Sequence, residues 1–178
     1  DRLFTSFPET GRIEEETIQT GEEISIIRGS RGYEGMAFSP DRQTLYPLLE
    51  GSVFGDPEGS LRIYDFDVAS SSFQGIVGLY QMAESNHAIG DYTPINDTEF
   101  LVIERDGNQA ADAEFKKIFK VDLSKIDADG FVEKTEVVDL LNISDPDDLN
   151  GDGKTTFDFP FVTIEDVLVL DVKTILFA

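Results

Sequence analysis

Three stretches decide how this chain is read: Gly32-Tyr33-Glu34-Gly35-Met36-Ala37-Phe38, Ile89-Gly90-Asp91-Tyr92-Thr93-Pro94-Ile95 and Thr163-Ile164-Glu165-Asp166-Val167-Leu168-Val169. Each sets a carboxylate ahead of a short apolar run, and each is followed by a turn and a second apolar run. The second runs are Tyr46-Pro47-Leu48-Leu49-Glu50, Phe100-Leu101-Val102-Ile103-Glu104 and Thr174-Ile175-Leu176-Phe177-Ala178, and the first two of them end in an acid. Short segments rich in Val, Ile, Leu, Phe and Tyr, broken by Pro, Gly, Asn and Asp, are the pattern of β-strands joined by turns.

The predicted strands cover Gly35 to Ser39, Thr44 to Leu49, Ser60 to Phe66, Phe73 to Gln81, Ile89 to Ile95, Glu99 to Glu104, Lys116 to Leu123 and Lys134 to Leu140. They group in fours, because Leu61-Arg62-Ile63-Tyr64-Asp65-Phe66-Asp67 aligns with Lys117-Ile118-Phe119-Lys120-Val121-Asp122-Leu123 as a third strand, each followed by a fourth. Four antiparallel strands recurring at roughly 40 to 60 residues are the mark of a β-propeller blade. The expected fold is therefore all-β: one propeller domain over residues 1–178, present as an incomplete fragment of about two and a half four-stranded antiparallel blades. A β-sandwich accounts for short strands equally well but leaves the recurring acids unexplained. Before Gly32, Leu3-Phe4 and Ile24-Ser25-Ile26-Ile27 read as strands, and Glu14-Glu15-Glu16 as a solvated loop or short helix face. Asp127-Ala128-Asp129-Gly130 reads as a turn.

With 36 Asp and Glu against 14 Lys and Arg, the formal charge is −22, so a phosphate backbone is repelled and nucleic acid is not an expected partner. The same excess suits hard divalent cations, although most of these acids must be solvated surface. Cysteine is absent, which rules out disulfides and thiolate metal sites in this sequence. No apolar run approaches the ~20 residues of a membrane-spanning helix, and no signal peptide is visible. A start at Asp1 and an end on an apolar strand lead us to expect a piece of a larger, exported polypeptide whose remaining strands, or a partner chain, cover the open blade edges.

In a propeller the first strand of each blade lines the central channel, so acids there converge from separate blades. Glu34, Glu50, Asp91, Glu104 and Glu165 are accordingly expected to gather. Converging carboxylates raise one another's pKa or recruit a cation, and a bound Ca²⁺ supplies a Lewis acid for a phosphoryl or acyl oxygen. The other reading of such acids is that they satisfy backbone donors at turns. Arg105, beside Glu104, and Arg31, near Glu34, offer positive charge to an anionic substrate or else form structural ion pairs. A second acidic stretch, Asp145 to Gly153, matches the start of a calcium loop at Asp148, Asn150, Asp152 and Gly153, but Thr156 and Phe159 stand where further ligands belong. Serine-hydrolase chemistry has little support, since there is no Gly-x-Ser-x-Gly motif and His87 is the sole histidine.

The segments Arg31 to Asp41, Thr44 to Gly51, Leu61 to Asp67, Ile89 to Asp91 and Phe100 to Asp106 resemble the phytase-like family, described as having the esterase-like activity of phytase. The stretch from Asp145 to Asp158 looks most like its cyanobacterial members. The resemblance implies a β-propeller, export to a secreted or periplasmic location, and a calcium-dependent hydrolase acting on a small-molecule phosphoester or other ester. Combined with the residue-level reading, Glu34, Glu50, Asp91, Glu104 and Glu165, with Asp148, Asn150 and Asp152, are the expected Ca²⁺ ligands; Glu34, Asp91, Glu104 and Arg105 are the expected catalytic groups. The alternative is a non-enzymatic, calcium-stabilised propeller serving as a binding, scaffold or extracellular surface protein.

Overall fold

The computed structural model describes residues 31–178 and, ahead of them, the backbones of two strands. In chain order the strands are β1 (Arg2–Phe7), β2 (Arg12–Thr17), β3 (Tyr33–Phe38), β4 (Thr44–Leu49), β5 (Ser60–Asp67), β6 (Ser72–Gln81), β7 (Ala88–Pro94), β8 (Glu99–Arg105), β9 (Lys116–Ile126), β10 (Val132–Asp139), β11 (Ile143–Ser144), β12 (Thr156–Phe157), β13 (Val167–Asp171) and β14 (Thr174–Phe177). Leu3 and Phe4 fall in β1. Glu14, Glu15 and Glu16 lie in strand β2, paired with β1, and not in the expected loop or helix. Residues Ile24 to Ile27 lie outside the described residues.

The fold is all-β and antiparallel. Two four-stranded sheets run in simple meander order, β3-β4-β5-β6 and β7-β8-β9-β10, and β13-β14 form a separate hairpin. Neither sheet closes on itself. Among the described residues no helix is long and apolar enough to cross a membrane.

The sheets stack face to face. Ala37, Leu48, Leu61, Ile63, Tyr80 and Met82 of the first pack on Ile89, Tyr92, Phe100, Val102, Val121 and Val132 of the second. On the second sheet's opposite face, Leu101, Ile103, Ile118 and Leu140 pack against Ile164 and Val167, with Val169, Ile175 and Phe177 of the hairpin alongside. The result is three layers in series. Strand β8 is thus covered on both faces, which explains why Phe100-Leu101-Val102-Ile103 is an unbroken apolar run with no polar alternation.

The layers come closest at their first strands, and two glycines allow it. A Cβ on Gly35 of β3 would lie 2.4 Å from Tyr92 Cβ of β7, and one on Gly90 of β7 would lie 2.0 Å from the Ile164 carbonyl oxygen. Neither distance is sterically tolerable, so any side chain there forces neighbouring layers apart.

A buried polar joint also ties the first two sheets together. Glu104 at the end of β8 is fully buried. Its Oε2 accepts from the Tyr80 hydroxyl of β6 and from Lys134 Nζ of β10; its Oε1 accepts from the Ala83 N–H and lies 2.8 Å from His87 Nδ1. Lys134 also donates to the Gln81 carbonyl, and its ammonium lies 4.4 Å from the Tyr80 ring centre and 3.9 Å from that of Phe119. Burial pushes the Glu104 carboxyl up, but the hydrogen bond and charge of Lys134, with Tyr80 and His87, outweigh it and hold the pKa below the usual range. Stability from this group is therefore present above the unfolded-state pKa, about 4.3, and is lost as pH falls through the folded value. Removing one member of a buried ion pair costs about 3–5 kcal/mol. Glu104→Ala is predicted to lose about that much in denaturant unfolding at pH 7, with the deficit shrinking toward pH 3; a change within experimental error at pH 7 would contradict this role.

Candidate acidic cleft

The first strands and the ends of the second strands meet at one end of the stack. There a cleft of about 400 Å³ is lined by Glu34 of β3, Glu50 just after β4, Asp91 of β7, Arg105 of β8, and Glu165 and Asp166 just before β13, with Ile89 and Gly90 in its wall. Five carboxyl side chains from three successive layers thus share this space with one guanidinium.

Glu50 is half-buried beside Glu34. Burial first, and then the charge of Glu34, push its carboxyl above the usual range, while Arg31 and Arg105 oppose the shift. Asp91 is also raised, chiefly by burial, although its Oδ1 accepts the Tyr92 N–H at 2.7 Å and its Oδ2 the Val167 N–H at 2.8 Å. Arg105 approaches Glu165 Oε1 only to 3.6 Å, too far for a hydrogen bond, and its buried Nε has no hydrogen-bond partner among the described residues. Charge compensation in the cleft is therefore incomplete.

Of the five acids expected to gather, the fold brings together Glu34, Glu50, Asp91 and Glu165, and Arg105, expected only as a positive group beside Glu104, lines the same cleft. Glu104 is not among them; it faces the first sheet, in the polar joint described above. The cause is a one-residue offset between the repeats, since adjacent strand residues point to opposite faces. Leu48 and Glu50 share the face that looks toward the second sheet, but Phe100, Val102 and Glu104 share the face that looks back toward the first. The residue of β8 that corresponds to Glu50 is thus Arg105, on the side of Leu101 and Ile103. Asp166 joins the cleft without having been expected, although it directly follows Glu165.

The Asp148 loop is separate. Asp148 accepts the Gly153 N–H, Asn150 the Asp152 N–H and Asp152 the Lys154 N–H, so each side chain closes a local turn. Among the described residues no three His, Asp or Glu side chains stand as a ready metal cage, either here or in the cleft. In donor chemistry Glu34, Glu50, Glu165 and Asp166 carry the carboxylate oxygens that a hard cation takes, and two of the glutamates stand side by side, whereas Asp91 already accepts a backbone N–H at each oxygen.

With this geometry in view, comparison with known proteins gives one family. The model of the phytase-like family, described as esterase-like activity of phytase, matches residues 4–177, and the chain belongs to that family. No curated protein and no solved structure matches it.

The raised Glu50 has a direct consequence. A carboxyl whose folded pKa exceeds its unfolded value contributes stability below the unfolded pKa and loses it as pH rises through the folded one. Without divalent cations, Glu50→Gln is predicted to raise the melting temperature at pH 7 and to reduce the loss between pH 4 and pH 7. A lower melting temperature at pH 7 would contradict the charge conflict.

Proposed function

We propose that the chain forms part of an exported β-propeller that hydrolyses phosphate esters with Ca²⁺ bound at the acidic cleft. The observation that carries the reading is the meeting of Glu34 and Glu50 of the first layer with Glu165 at the start of the third, around Arg105 of the second, in a member of the phytase-like family. The stacked antiparallel four-stranded sheets support the propeller.

In this reading Glu34, Glu50 and Glu165 supply oxygens to the cation, with Glu165, exposed before β13, turning inward to join the other two. Bound calcium relieves the repulsion between Glu34 and Glu50 and supplies Lewis-acid chemistry at a phosphoryl oxygen. Arg105, held only loosely by Glu165, offers a second positive group to a phosphate. Glu104 takes no part in ligand binding and keeps the first two layers in register. The Asp148, Asn150 and Asp152 loop serves as a secondary calcium site after its turn bonds rearrange. Further strands of the same polypeptide, or a partner chain, cover the edge of β14 that has no partner strand among the described residues, and the exposed Leu168, Leu170 and Leu176. A secreted or periplasmic location follows from the family reading.

Hydrolysis of a generic phosphomonoester and a generic carboxylic ester, with and without chelator, tests this proposal. The expected result is phosphatase turnover that disappears with chelator and falls at least 100-fold in Glu34→Gln/Glu50→Gln. Absence of turnover on both esters, with calcium still raising the melting temperature, would instead support the non-enzymatic scaffold reading.

A further inference from the structure

Asp91 shares the cleft with the glutamates, but its carboxylate is engaged differently. Each oxygen accepts a backbone N–H: Oδ1 from Tyr92 in its own strand, at 2.7 Å, and Oδ2 from Val167 at the start of β13, at 2.8 Å. The bond to Val167 spans two layers. Among the described residues β13 pairs only with β14, and no strand ladder joins it to β7, so this side chain does the work of an inter-strand bond.

The segment it holds carries the cleft's third group of acids. Ile164 and Val167 are buried in the core between the second sheet and the hairpin, and Glu165 and Asp166 lie between them. The Glu165 and Asp166 amides both point to the Ala178 carbonyl, at 2.9 and 3.3 Å, and the Ala178 N–H returns to the Asp166 carbonyl at 3.0 Å. Gly90, next to Asp91, lets the Ile164 carbonyl come close enough for the clasp to form. Two buried anchors, a close backbone approach and one carboxylate bridge therefore fix where Glu165 emerges.

Resting on the proposed cation site, we propose that Asp91 is a positioning residue: it clasps Val167 so that Glu165 faces Glu34 and Glu50, and it does not itself bind the cation. Groups that orient metal ligands without touching the metal change affinity by about 10–100-fold when removed. The same range is expected here.

The test uses Asp91→Ala, Asp91→Asn, Glu165→Gln and the Asp91→Ala/Glu165→Gln pair. Amide hydrogen exchange without any divalent cation reads the clasp, and calcium titration reads its effect on the site. Exchange at Val167 should speed up at least tenfold in Asp91→Ala, and less in Asp91→Asn, which keeps one acceptor oxygen, while the amides of β3 to β6 stay protected. Calcium affinity should fall about 10–100-fold in Asp91→Ala and by a similar factor in Glu165→Gln. The pair should lose no more than the weaker single variant, since both changes remove the same ligand. Additive losses would make Asp91 a ligand in its own right and overturn the proposal, as would unchanged exchange at Val167. Wild-type protein that binds no calcium would overturn the proposed cation site, while the metal-free exchange result would still decide whether the clasp exists.

Discussion

The close approach of successive first strands governs the rest of this structure. At Gly35 and Gly90 the neighbouring layer sits where a Cβ would be, against Tyr92 in one case and the Ile164 carbonyl in the other. Because the layers converge at that edge, the acids beside these glycines are drawn into one cleft, and the core between the first two sheets is filled by large side chains such as Tyr80 and Phe100. A methyl group at either glycine would open the cleft and part the core together, because interiors packed to crystal-like density have no slack to absorb it.

Carboxylates in this chain meet three different fates, and surroundings decide which. Glu104 is buried with a lysine, a tyrosine, a histidine and a backbone amide around it, so its charge is satisfied and it holds two sheets together. Asp91 is half-buried and spends both oxygens on backbone amides. Glu34 and Glu50 stand side by side, and burial with the Glu34 charge outweighs Arg31 and Arg105 and raises the Glu50 carboxyl, an electrostatic demand that a ligand could meet. In a chain of charge −22, the number of acids says little about a site; the number left unsatisfied in a partly buried place says much more.

The strands were legible because their apolar runs are short and their turns carry strong breakers. Thr44–Leu49 matches its expected limits, and the other seven expected from Gly35 onward differ only at their ends, as with Val132–Asp139 against Lys134 to Leu140. The grouping into fours was legible too, since β5 and β9 share an alternation that places them third in each sheet. The meeting of Glu34, Glu50, Asp91 and Glu165 could be anticipated from repetition, whereas repetition put Glu104 where the fold puts Arg105. The true position of Glu104 could not, because a one-residue offset between repeats reverses a side chain's direction and leaves the aligned letters looking equivalent. The partners Tyr80 and Lys134 are far from Glu104 in sequence and carry no local signal. Likewise, Asp148, Asn150 and Asp152 have calcium-loop spacing, but the same residues are good turn formers, and each closes its own turn here.

The proposal that Glu34, Glu50 and Glu165 share one cation is tested most directly by a crystal grown with calcium, through the anomalous scattering of the ion. The predicted result is a peak within about 2.3–2.6 Å of carboxylate oxygens from all three glutamates, with Asp91 still bonded to the Val167 amide. A peak confined to the Asp148 loop, or none in the cleft at a calcium concentration that saturates any thermal stabilisation, would contradict it.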